Sequence, residues 1–354
     1  MTDNPTIIPV QERHRFDTAR LDAWMRDHVT GYAGPLGVEQ FGGGQSNPTY
    51  RLTTPTSRYV LRRKPPGKLL ASAHAVDREY RVITALGTTG FPVPQTYGLC
   101  EDESVIGTAF YVMDCIEGRV LWDQQLPDLA RDERAAIFDA MNATIARLHQ
   151  VDYRTIGLES YGRPGNYLQR QIDRWTKQYR LSETERIEAM DNLIAWLPNN
   201  IPPADDTSIV HGDYRMDNMI FDVDAPVIRA VIDWELSTLG DPLADFAYHV
   251  MYWRLEPALF RGLAGTDFAA TGIPSEAEYV AAYCRRTGRD GIPHWDTYIA
   301  YNMFRLAGIL QGIMKRFLDG TASSKQAEQS GRRARGIAEA GWRQVEAVLK
   351  RAKG

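Results

Sequence analysis

Cysteine is scarce in this chain. Its 354 residues include three, Cys100, Cys115 and Cys284, far apart and without a C-x-x-C spacing. That disfavours a disulfide framework and a structural zinc site, and fits a reducing compartment. Long apolar runs are also missing. None approaches the roughly 20 residues a membrane span needs, and the opening MTDNPTIIPVQERHRFD lacks the apolar core of a signal peptide. No excess of one charge sign stands out: the net charge is −4, so no basic field points to nucleic acid. There is no repeat, no low-complexity tract, no G-x-x-x-x-G-K-[ST] phosphate loop and no dinucleotide fingerprint. These absences predict a cytoplasmic, soluble protein without nucleic-acid or membrane partners, its oligomeric state unassigned. What is present, 44% hydrophobic and 24% charged residues, can bury a sizeable core. The length suits about two domains.

The first third mixes strands with few helices. Leu21, Trp24, Met25 and Val29 recur at helical spacing within 17–29. VEQF (38–41), TYRLT (49–53) and RYVLRR (58–63) read as strands. A helix is predicted over 73–86, with Ser72 as cap and Gly87 as stop, followed by strands near 95–100 and 108–114. After Glu117-Gly118 the pattern becomes helical. Ile137, Met141, Ile145 and Leu148 share one helix face, and Ser182-x-x-Glu185 reads as a capping box that opens another helix. Residues after 240 are mostly helical, with a long apolar stripe at 294–318. The prediction is an α+β chain with a boundary near 115–118: a sheet-rich part over 1–117 and a larger helical part over 118–354.

The densest chemistry lies in HGDYRMDNMIFD, residues 211–222. Asp213 and Asn218 are spaced D-x-x-x-x-N, with His211 two residues before the aspartate. A short apolar strand follows, then a turn near 224–225, then VIRAVID ending at Asp233. Paired as a hairpin, residues near 217 come opposite residues near 232, so Asn218 and Asp233 face one another at the ladder end, with Asp213 on the adjoining loop. A carboxylate and an amide oxygen are hard ligands of the kind that hold Mg2+ beside phosphate oxygens. Asp213 is then left to accept a proton from a hydroxyl, which is the division of labour of phosphoryl transfer. The segment matches the kinase pattern H-R-D-x-x-x-x-N except at Gly212.

The parts such a reaction needs upstream have candidates. FGGGQSNPTY (41–50) lies between two predicted strands. It reads either as a phosphate-covering loop, through Gly43, Gly44 and Ser46, or as a plain hairpin turn. On RYVLRRK, Val60, Arg62 and Lys64 share a face; Arg62 stands where a phosphate-binding cation is expected, with Lys64 as the alternative, and Glu79 on the next helix is the natural ion-pair partner. AFYVMDCIEG (109–118) leads from strand to linker, and its backbone at Asp114, Cys115 and Ile116 is positioned to read an adenine edge.

In this order GGGQSN, VLRRK, Glu79, HGDYRMDN, VIDWE and GDPLADFA resemble the aminoglycoside phosphotransferase-like family of small-molecule kinases, over nearly the whole chain after residue 30. VLRRKPPGKLLASAHAVDREYRV and VIDWELSTLGDPLADFAYH resemble in particular the kinase-like domain of acyl-CoA dehydrogenase family members ten and eleven and its free-standing bacterial relatives. The resemblance implies a bilobal protein-kinase-like fold with a small antiparallel-sheet N-lobe and a helical C-lobe. It implies ATP and Mg2+ as cofactors. By position it makes Asp213 the base, supported by His211, Asn218 and Asp233 the metal ligands, and Glu79 the ion-pair glutamate. The family often has lysine where Arg62 stands. A dehydrogenase activity is not expected, because the length leaves no room for an added flavin domain.

Only seven residues separate Asp233 from Asp241, the predicted cap of a helix beginning at Pro242. A peptide platform does not fit there, so the acceptor is expected to be a small molecule with a hydroxyl. Residues 242–320 carry eight acidic and eight basic side chains, without the acidic excess a polycationic aminoglycoside would want. The aromatics Tyr248, Tyr252, Trp253, Trp295, Tyr298, Tyr301 and Phe304 read as helix core; an acyl tunnel or a quaternary-ammonium cage is the alternative. The resemblance implies a hydroxyacyl thioester of coenzyme A. Choline-like alcohols, sugars, aminoglycosides and a catalytically silent nucleotide-binding regulator are the competing readings. His249, Arg305 and Gln311 are further candidates, each also explicable as packing.

Overall fold

Asp17 accepts hydrogen bonds from the Ala19 and Arg20 N–H groups at 3.0 and 3.1 Å, and so starts helix α1, Thr18–His28. The computed structural model describes residues 6–42, 47–65, 75–203, 206–322 and 326–352. Gly43, Gly44, Ser46 and the Ser72 cap lie outside the described residues. The fold divides into two compact units: Met1–Trp122 with Arg154–Tyr161 and Met216–Ser237, and Asp123–Tyr153 with Gly162–Arg215 and Thr238–Gly354.

The first unit is built on a six-stranded antiparallel sheet. Its strands are β1 (Ile7–Ile8), β2 (Gly37–Phe41), β3 (Thr49–Thr53), β4 (Arg58–Arg63), β5 (Thr96–Cys100) and β6 (Phe110–Asp114), in spatial order β1-β2-β3-β4-β6-β5. Alternation gives the sheet two characters. Tyr50, Leu52, Leu61, Phe110 and Val112 join Leu21, Trp24 and Met25 of α1 in one core. Each such fully buried side chain contributes about 1.5–3 kcal/mol. Val60, Arg62, Tyr111 and Met113 point the other way, into an open groove. Helix α2, Val76–Gly87, follows β4; it continues through Gly87 and is capped by Thr88 instead of stopping at the glycine. A short helix α3, Glu103–Ile106, precedes β6.

The hairpin forms from Met219–Phe221 and Ile228–Val231. Its register pairs Met219 with Val231, and Ile232 N–H donates to the Asn218 carbonyl at 3.0 Å. This is one residue off the 217/232 pairing expected, and the ladder has an irregularity between Ile220 and Phe221. Arg119 exchanges backbone hydrogen bonds with Phe221 at 2.8 and 2.9 Å, and Val231 N–H donates to the Pro92 carbonyl. These bonds fasten the hairpin into the first unit. Gly118 permits that approach: a Cβ there would lie 2.3 Å from the Phe221 carbonyl oxygen.

The second unit is mainly helical. Its long helices are Arg131–Gln150, Tyr167–Ser182, Trp295–Leu318 and Ala334–Arg351, with a two-stranded pair of Ser208–Val210 and Thr238–Gly240. Asp241 caps the helix Pro242–Val250 by accepting the Leu243 N–H. Ser182 does not open a helix. It ends one, its hydroxyl donating to the Gln178 and Tyr179 carbonyls at 2.9 and 3.2 Å, and the next helix begins at Glu188. Ser182 carries helical backbone as the last residue of the preceding helix, so it cannot take the extended conformation a capping residue needs, and the N–H groups of the next helix lie too far along the chain. A complete capping box does occur at Ser275 and Glu278, opening Glu276–Thr287. Tyr248, Tyr252, Trp253, Tyr298, Tyr301 and Phe304 are buried, as core packing requires. Among the described residues no helix is long and apolar enough to cross a membrane.

Candidate active site

Within the first unit β4 sends Arg62 toward α2. Its Nε lies 2.9 Å from a Glu79 carboxylate oxygen, its Nη2 donates to Asp233 Oδ1 at 2.6 Å, and the same nitrogen is 3.5 Å from Glu235. The Arg62–Glu79 contact is ionic and not an aligned hydrogen bond, since the N–H does not point at the oxygen. Lys64 lies beyond the end of β4, and among the described residues its side chain makes a loose contact with Asp77, at 3.9 Å. Arg62, not Lys64, is therefore the cation that meets Glu79.

Three carboxylates around one guanidinium leave the cluster negative. Burial pushes Glu79 up to about 7, opposed by Arg62 and reinforced by the charges of Asp233 and Glu235. Arg62 loses hydration by burial, but its three carboxylate neighbours raise its affinity for the proton, so it stays charged. Asp233 occupies the left-handed region, φ 66° and ψ 59°, immediately after the hairpin strand. A non-glycine residue there costs of order 1–3 kcal/mol, and aspartate tolerates it better than most. Asn218 ends the short turn Met216–Asn218 at the same open end of the hairpin and is buried.

A groove of about 780 Å³ adjoins this cluster. Ile83, Tyr111, Met113, Val120, Ile220 and Ile232 give it apolar walls, and Asp114, Cys115 and Ile116 line it with the candidate adenine-reading segment. The Asp114 N–H is already taken by the Gln95 carbonyl at 2.8 Å, and its carboxylate accepts the Tyr97 hydroxyl. Burial pushes the Cys115 thiol up.

Among the described residues no group of three or more His, Cys, Asp or Glu forms a metal cage. A magnesium held by one amide oxygen and one carboxylate, with phosphate oxygens and water completing the shell, needs no such cage. The donor types of Asn218 and Asp233, and the surplus negative charge beside them, fit that ion.

The basic residues near Arg62 have structural partners. Arg78 donates to the Tyr161 carbonyl at 2.8 Å and Arg81 to the Gly157 carbonyl at 2.8 Å, while Arg63 is buried against Phe16.

Asp213 belongs to the second unit, on the loop after Ser208–Val210. Gly212 has φ +81°, a conformation that explains why the middle letter of the motif is glycine and not arginine. Asp245 holds the loop backbone: its two carboxylate oxygens accept the His211 and Gly212 N–H groups, both at 2.8 Å. Burial resists ionisation of Asp245, but hydrogen bonds and charge from His149 and His211 outweigh it and hold the carboxyl below its ordinary value. His211 is fully buried, and its Nδ1 accepts the Asp213 N–H at 3.2 Å. This geometry suits holding the loop and not touching an acceptor. Sequence reasoning left Tyr248 among the core aromatics, yet its hydroxyl donates to Asp213 Oδ1 at 2.6 Å. The missed signal is spacing: Tyr248 stands three residues after Asp245 on one helix, hence on the same face. Arg215 Nε lies 3.2 Å from Asp213 Oδ2, and Arg305 donates to the Gly212 carbonyl at 2.5 Å. Gln311 binds Ser182 and Thr184, and His249 pairs with the Tyr279 hydroxyl at 2.8 Å; both serve packing.

The model of the phosphotransferase enzyme family matches residues 37–301. Mouse acyl-CoA dehydrogenase family member 10 is 44% identical over 96% of this chain, which covers 32% of that protein. The chain spans roughly a third to under a half of the curated relatives it matches. A crystal structure of a candidate aminoglycoside phosphotransferase from Ralstonia eutropha is 59% identical, covering 94% of this chain and 99% of that one, with a TM-score of 0.87. Choline kinase from Cryptosporidium parvum, 13% identical, covers 95% of this chain and 97% of its own with a TM-score of 0.67. It shares the fold, the α+β protein-kinase-like one expected from the sequence.

Proposed function

Because the chain belongs to the phosphotransferase enzyme family, we propose that it moves the γ-phosphoryl group of ATP to a hydroxyl of a small molecule. The observation that carries this reading is the Arg62 cluster, where one cation joins Glu79 to the hairpin aspartate Asp233 beside a large apolar groove. Residues 1–117 supply the nucleotide side, with the base against the backbone of Cys115 and Ile116. Residues 118–354 supply the Asp213 loop, the metal ligands and the acceptor side. Mg2+, when bound, neutralises phosphate charge as the terminal group transfers. Asn218 and Asp233 would hold it. Arg62, oriented by Glu79, exchanges its bond to Asp233 for a phosphate oxygen, for which its planar fork is suited. Asp213 takes the proton from the acceptor hydroxyl, and the buried His211 and Asp245 keep that carboxylate in place.

For the acceptor we favour a hydroxyacyl thioester of coenzyme A. Support comes from the relative that carries acyl-CoA in its name and from the even charge of residues 242–320. The test is a phosphorylation screen of hydroxyacyl-CoA thioesters, choline-like alcohols, sugars and aminoglycosides, read by a product mass raised by one phosphoryl group. Asp213→Ala should abolish transfer and leave MgATP binding within a few fold. Tight MgATP binding with no transfer to any acceptor would defeat the reading and favour a silent nucleotide-binding regulator.

A further inference from the structure

We infer that Tyr248 is a positioning residue for the proposed base: its hydroxyl fixes one oxygen of Asp213, stopping the carboxylate from rotating and aiming the remaining lone pairs at the acceptor. This rests on the proposed function, in which Asp213 accepts a proton.

Three observations carry it. The Tyr248 O–H to Asp213 Oδ1 distance, 2.6 Å, is that of a charge-assisted bond, about twice as strong as a neutral one. The tyrosine is itself immobile. It is buried, and the Arg305 guanidinium lies 4.9 Å from its ring centroid. Arg305 also donates to the Gly212 carbonyl, so one cation fixes both the ring and the backbone that carries Asp213. Finally, the helix Pro242–Val250 grips the loop twice on one face, with Asp245 on the backbone and Tyr248 on the side chain. An exposed carboxylate would sample both flipped orientations about its last bond; this one is held.

Tyr248 gives up no proton in the reaction. Burial, with the neighbouring Asp213 charge, pushes its phenol well above the ordinary value, so it remains a donor throughout the working range. The acceptor's proton goes to Asp213. Charged groups beside that carboxylate include Arg215 from its own loop and Arg305 from the helix Trp295–Leu318, while His211 accepts the Asp213 backbone N–H.

The test uses the full chain and MgATP, with water as the phosphoryl acceptor and the hydroxyacyl-CoA panel beside it. Tyr248→Phe deletes one oxygen and keeps the ring under Arg305. Its kcat should fall roughly tenfold to a hundredfold, the loss expected for a bond to a charged group. KM for ATP should stay within about twofold. A Tyr248→Phe enzyme with wild-type kcat beside an inactive Asp213→Asn overturns this inference and leaves the proposed function standing. A loss of kcat matched by an equal rise in KM for ATP, or one accompanied by a fall of several degrees in the melting midpoint, marks Tyr248 as packing only and also overturns it. Wild-type activity in Asp213→Asn, or no turnover by the wild-type chain with any acceptor, removes both readings together.

Discussion

Asp245→Asn changes one atom type at the point where the loop carrying Asp213 hangs. In the native chain both carboxylate oxygens accept backbone N–H groups at 2.8 Å, from His211 and Gly212, and His149 Nε2 lies 3.3 Å from one of them. The side chain is 2% exposed, so water cannot replace a lost partner. An asparagine still offers one oxygen. Its NH2 group must face the other backbone N–H, donor against donor. The lost bond to a charged acceptor is worth about 1.5–3 kcal/mol, and the stranded buried donor adds about 1–3 kcal/mol. A local destabilisation of roughly 3–5 kcal/mol follows. With two units in the chain, global unfolding need not be two-state, so the cleaner assay is amide hydrogen exchange of a peptide covering 208–215. Its exchange should accelerate by about a hundredfold or more, since each 1.4 kcal/mol is a factor of ten. Phosphoryl transfer should fall with it while MgATP affinity changes little. Exchange within threefold of wild type would show that the loop is anchored by something other than Asp245, and would refute the role assigned to that carboxylate.

His249 is buried and pushed down to about 3, chiefly by desolvation, so it is neutral in the fold and protonates more readily once unfolded. Between about pH 6.5 and 3 the unfolded chain binds the extra proton, so stability is present above pH 6.5 and lost on acidification; the loss is roughly 2 kcal/mol by pH 5. Urea midpoints across that range should show the slope, and His249→Gln should flatten it. Arg62→Met should raise KM for ATP at least tenfold in steady-state assays. Glu79, pushed up to about 7, already makes stability fall as pH rises from about 4.5 to 7; without the Arg62 charge, which holds it down, the variant should extend that fall above pH 7. Ser275→Ala removes the capping box of Glu276–Thr287 and should cost about 1 kcal/mol in urea denaturation without altering transfer.

Local chemistry was legible in the sequence by itself. The alternation in TYRLT and RYVLRR set the strands β3 and β4 to the residue. The turn between two short apolar runs specified the hairpin, and Asp241-Pro242 marked a helix start. Each is settled by neighbours within a few positions, where periodicity and capping act directly. The same local rules misread Ser182, whose hydroxyl had a nearer carbonyl to satisfy. They also could not separate Arg62 from Lys64, which share a strand face. Only the tertiary structure decided that β4 ends at Arg63, leaving Arg62 to reach Glu79, 17 positions along the chain, and Asp233, 171 positions along. It alone gave Asp233 its left-handed backbone, and it turned Tyr248 from one core aromatic among several into the donor on Asp213. Such contacts depend on which distant faces meet, and a linear pattern carries the face but not the partner.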